Sequence, residues 1–146
     1  MVLVNASPSS SFALRRHREA ALAYTGLGIL VILITFAAGL VPSSRTGAVW
    51  ELAIGAAFIV LFAFLIYRGW WMLSALLLLS NIWRAVTYFN DGIGRHIELL
   101  PFSVTMTEPR PVAFVNAALM LMIVFMLARS ALAGFHAWRA HRLKPS

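Results

Sequence analysis

No charged residue stands between Glu19 and Arg45. Residues 20–41, inside that interval, are mostly apolar. A run of this length satisfies its backbone polar groups in lipid by coiling into a helix. Three similar runs follow at residues 48–67, 70–89 and 112–128. Each has about 17–22 residues, close to the roughly 20 that span a 30 Å hydrocarbon core. Strict alternation of apolar and polar residues, which marks a membrane barrel strand, is absent. The expected fold is therefore all-α: an integral membrane bundle of four antiparallel transmembrane helices.

Composition agrees. The chain is 61% hydrophobic and 12% charged, against about 45–50% and about 25% in soluble proteins. One domain is expected, covering residues 20–138. Residues 1–19 are expected as a flexible basic tail, Ser-rich and interrupted by Pro8, and residues 139–146 as a basic C-terminal tail. Arg15, Arg16 and Arg18 precede the first run in the manner of a signal peptide. The run exceeds the about 7–15 residues of a signal core, which favours a retained first helix. The fourth helix is expected to continue past residue 128 as an interfacial extension to 138.

A net charge of +7 in a soluble protein would suggest nucleic acid. Here the basic residues flank apolar segments, so the anionic lipid surface is the expected partner. No nucleic-acid module is recognisable. The absence of cysteine removes disulfides, thiolate metal sites and thioether haem attachment.

Arginine placement sets the threading. With a cytoplasmic N-terminus, the inner side receives Arg15, Arg16, Arg18, Arg68, Arg129, Arg139, Arg142 and Lys144. The outer side receives Arg45, Arg95 and Arg110. That bias predicts both termini in the cytoplasm. Trp70, Trp71 and Trp138 then fall at the inner interface, with Trp50 and Trp83 toward the outer one, as aromatic belts require.

The candidate site lies in the third run, WWMLSALLLLSNIWRAVTYFND, residues 70–91. It carries Asn81 and Arg84 into the membrane, and an arginine there is costly enough to mark a functional site. In an antiparallel bundle Glu51, Arg84 and Asn116 reach similar depth below the outer surface. Residues 81, 84 and 88 share one helix face, expected to point into the bundle. The expectation is an intramembrane polar cluster of Glu51, Asn81, Arg84 and Asn116. Glu51 and Arg84 pair at its centre, since guanidinium grips carboxylate bidentately. Such a pair serves either as interhelical glue, the favoured use, or as the lining of an outward-facing pocket. Independent snorkelling of the two side chains is the alternative.

Arg95, His96 and Glu98 are candidate contacts from the outer loop. His96 has no second histidine at ligand spacing, so no metal site is expected. His17, His136 and His141 are expected in the cytoplasm. With no histidine in the membrane, b-type haem is not expected either, and no cofactor is assigned. Met120, Met122 and Met126 read as packing residues. No phosphate loop, nucleophile elbow or zincin helix occurs, so no catalytic residue is assigned.

These features suggest a non-catalytic accessory or assembly subunit of a larger complex in a bacterial plasma membrane. Its partners would be lipids and another membrane protein, or further copies of itself. Two alternatives stand beside it: a small oligomeric transporter or channel with Glu51 and Arg84 at its outer mouth, and an enzyme acting on a lipid in the outer leaflet.

Overall fold

The structure is a computed structural model and describes residues 8–37, 46–94 and 110–143. Within them it contains four helices and no strand: α1 (Pro8–Ala37), α2 (Thr46–Tyr67), α3 (Trp71–Gly92) and α4 (Arg110–Arg142). Segments Ser11–Thr35, Trp71–Gly92 and Pro111–Arg142 are long and apolar enough to cross a membrane. In α2 the corresponding apolar helix is the shorter Ala53–Tyr67.

Contacts between helices define an alternating path. The Arg18 guanidinium, near the start of α1, lies over the Tyr67 ring at the end of α2. His17 reaches Ser130 late in α4, and Ser74 early in α3 reaches the same hydroxyl. At the other end Phe89 of α3 meets Phe114 of α4 edge-on, and Asn116 of α4 meets Thr35 of α1. Neighbouring helices are therefore antiparallel. One end of the bundle gathers Arg15, Arg16, Arg18, Arg68, Arg129, Arg139 and Arg142; it is called the basic end below.

Residues 8–19 are helical and not a flexible tail. The reason lies in the buried face. Ala13, His17, Ala20, Tyr24 and Val31 are all buried, and their three- and four-residue steps continue one stripe of α1 back past the apolar run. The fourth helix likewise runs on to Arg142. Ala113, Asn116, Met120, Ile123, Leu127 and Ser130 are buried along it, with Ala117 buried beside them and Gly134 next in register. Steps of three and four alternate along this series, the seam of a helix that packs lengthwise on its neighbours. Met120 belongs to that seam and Met126 packs beside it. Met122 is exposed, so it plays no part in the packing assigned to the three methionines.

The α2–α3 hairpin is a Schellman closure. Gly69 N–H donates to Ile66 C=O at 2.9 Å and Trp70 N–H to Leu65 C=O at 3.2 Å. Gly69 takes φ +91°, a conformation in which a side chain is strained. That hairpin ties α2 to α3 at the basic end. Beyond it the two helices scarcely touch. Helix α2 leans on α1, while α3 and α4 form the most extensive pair and α4 also packs along α1.

Candidate functional site

The separation of α2 from α3 opens a cavity of about 560 Å3, within the roughly 300–1,000 Å3 of small-molecule sites. Gly55, Phe58, Ile59 and Phe62 form its α2 wall, and Asn81, Arg84 and Tyr88 its α3 wall. The floor comes from Tyr24, Gly28, Val31, Ile32 and Thr35 of α1 with Met120 and Ile123 of α4. The lining is thus an apolar trough with tyrosine, threonine, amide and guanidinium groups set into it.

Of the candidate cluster, Asn81 and Arg84 meet at this cavity. Asn81 is buried, and its amide donates to the Leu77 carbonyl at 2.7 Å, one turn back on its own helix. Arg84 is exposed. The inward stripe of α3 runs through Ser74, Leu77, Asn81 and Ala85, so Arg84 stands at its edge, toward the gap, and not in the bundle's centre. It lies eight residues before the last residue of α3, about 12 Å along the axis at 1.5 Å per residue. The sequence placed the end of this run at residue 89, and α3 continues to Gly92. Tyr24 of α1 lines the same cavity. Among the described residues no carboxylate pairs with Arg84.

Asn116 is fully buried but belongs elsewhere: its amide donates to Thr35 Oγ1 at 3.4 Å, joining α4 to α1. The side chain of Glu51 lies outside the described residues, as do Arg95, His96 and Glu98. The pairing of Glu51 with Arg84 and the loop contacts fall there too.

A second polar group sits near the basic end. His17 Nδ1 lies 2.7 Å from Ser130 Oγ, and Ser130 Oγ lies 3.1 Å from Ser74 Oγ. All three side chains are buried, the serines completely. They come from α1, α3 and α4 and so tie three helices together. From the sequence His17 is expected outside the bundle among the basic residues; here it is inside. The signal available was positional: Ser74 and Ser130 stand alone within apolar helix, and His17 falls on the buried stripe of α1. A serine hydroxyl beside an imidazole is also the start of nucleophilic catalysis. At Ser130 no surface is open for a substrate, so the contact works as an interhelical lock.

Just outside this lock Glu19 accepts from Arg15 and Arg16 of its own helix, both at 3.0 Å. Its carboxylate is also 3.8 Å from Arg129 on α4. Trp71, Phe135 and Trp138 cluster at the same end, with the Arg142 guanidinium 4.4 Å above the Trp138 ring. Among the described residues no group of histidine and carboxylate side chains is placed to hold a metal ion.

Compared with known proteins, the chain matches no family, no curated protein and no solved structure.

Proposed function

We propose that this chain is a small, non-catalytic integral membrane subunit that works by packing against a larger membrane partner. The observation that carries this reading is the disposal of polar side chains. Of the buried ones, His17, Ser74, Ser130 and Asn116 join the chain's own helices, and Asn81 bonds back to its own helix. What the helices present outward is chiefly apolar, including Ile54, Phe58, Leu76, Leu79, Leu121 and Phe125. A chain with little mass beyond the bilayer and an apolar exterior is suited to assembly within the membrane. Both ends of the chain belong in the cytoplasm on this reading, since the arginines collected at the basic end follow the positive-inside rule. A bacterial plasma membrane is the proposed location.

The test is purification of the full chain in a mild detergent from its native membrane. A membrane protein recovered in fixed ratio, and lost when outward residues such as Leu79 and Leu121 are replaced by arginine, is the expected result. Recovery of the chain alone, at the mass of one copy, would overturn it.

One observation favours the transporter reading: the cavity beside Arg84. Flux of small anions through proteoliposomes, abolished by Arg84→Leu or Glu51→Gln, would replace the subunit reading with that one. Lack of flux favours the subunit. The lipid-enzyme reading draws on the same cavity, and the His96 and Glu98 on which it relies lie outside the described residues.

A further inference from the structure

We propose that the cavity between α2 and α3 binds an acidic lipid with a small head, a single carboxylate or phosphate on a hydrocarbon tail, and that Arg84 is its anion partner. This goes beyond the subunit reading and does not depend on it.

Three observations point to that occupant. First, the cavity lies between two membrane helices that scarcely touch, so its entrance faces the bilayer and its ligand arrives from lipid. Second, its chemistry is divided as an amphiphile's is. Val31, Phe58, Ile59, Phe62 and Ile123 offer hydrocarbon contact, while Arg84 brings a charge and Tyr24, Thr35 and Tyr88 bring hydroxyl groups to the same lining. Third, Arg84 is a cation deep in α3 with no carboxylate paired to it among the described residues. A guanidinium binds carboxylate or phosphate through parallel hydrogen bonds, and an intramembrane cation is stabilised most by such a partner. The enclosing walls select the head: beside Arg84, between two helices, a bare carboxylate or phosphate monoester fits more readily than a bulky zwitterionic head.

The glycines supply clean test positions. A Cβ built on Gly55 meets nothing within 4 Å, and Gly55 lines the cavity. Gly26 is equally open but does not line it. Gly55→Phe therefore fills the cavity, and Gly26→Phe is the matched control.

The full chain is placed in phosphatidylcholine nanodiscs and photolabelled with a diazirine analogue of palmitic acid, or with the methyl ester of the same probe. Labelled residues are located by mass spectrometry. The acid is expected to label the cavity wall around Phe58, Phe62 and Met120 about tenfold more than the ester, the scale of one charge-assisted contact. Arg84→Leu should erase that preference, Gly55→Phe should lower labelling by both probes, and Gly26→Phe should change neither. A phosphatidic acid probe set against a phosphatidylcholine probe extends the comparison to phosphate heads. Should Arg84→Leu fail to fold, the Gly55 and Gly26 variants decide. Equal labelling within both pairs, labelling confined to outward residues such as Leu33, Leu79 and Leu121, or indifference to Gly55→Phe would overturn the proposal. Displacement by excess inorganic phosphate would overturn it too, since that identifies a site for soluble anions.

Discussion

Ser130 is the middle member of the buried lock, with His17 on one side and Ser74 on the other. Its removal leaves two buried polar groups short of a partner, whereas removal of Ser74 leaves one. Interhelical hydrogen bonds in membrane proteins average about 0.6 kcal/mol, and an orphaned buried group costs about 1–3 kcal/mol. Ser130→Ala is therefore expected to destabilise the bundle by about 1–2 kcal/mol and Ser74→Ala by less. The double variant should fall short of the sum, because the two share a contact. Reversible unfolding in mixed detergent micelles measures all three; a Ser74→Ala effect equal to that of Ser130→Ala would show that Ser130 is not the hub. Gly134 gives a steric counterpart. A Cβ there would stand 2.2 Å from Trp71 Cβ and 3.1 Å from the His17 ring, so α3 and α4 must move apart to admit it. Gly134→Ala should cost about 1–3 kcal/mol, as overpacking does. At Gly26, where nothing lies within 4 Å, the same change should be neutral or gain about 0.5–1 kcal/mol from helix propensity.

Among the elements α2 stands apart. Its described side chains are apolar nearly all round, with Ile54, Phe58, Val60, Leu61 and Phe64 exposed, so no stripe specifies one packing face. It is held by the hairpin at Gly69 and by α1, where Gly28 lets Ile59 approach: a Cβ on Gly28 would be 3.3 Å from Ile59 Cδ1. Gly28→Leu is expected to push α2 outward. Hydrogen exchange should then speed up across residues 53–67 while α3 and α4 keep their protection. Uniform acceleration through all four helices would mean that α2 is not a separable element. The same contrast explains what the sequence made legible. Apolar runs announced the helices, and the two residues left between the second run and the third announced a tight hairpin. The end of α3 was set too early because apolarity fades near Tyr88 while the helix continues to Gly92. His17 was misplaced because three arginines surround it, and a charge pattern hides a single inward-facing imidazole. A pocket beside Arg84 was one stated alternative, but its shape was not legible: it depends on α2 standing off α3, and a helix apolar nearly all round does not encode which neighbour it avoids.

For the molecule as a whole the arginines and the fold make one joint demand. Antiparallel packing puts the start of α1 and the end of α4 together at the basic end, and on the proposed insertion that end faces the cytoplasm. The cysteine-free chain allows single-cysteine reporters without background. Phe12 and Leu143 are exposed at the basic end, and Ile93 is exposed just past α3 at the other. In intact cells a membrane-impermeant maleimide should modify Ile93→Cys but reach Phe12→Cys and Leu143→Cys only after lysis. Modification of the two terminal reporters with protection of Ile93→Cys would keep the fold and reverse its insertion, moving Arg84 to the cytoplasmic half. Opposite behaviour of Phe12→Cys and Leu143→Cys is the graver result: the chain would cross the bilayer an odd number of times. The cavity beside Arg84 would then lose part of its membrane setting.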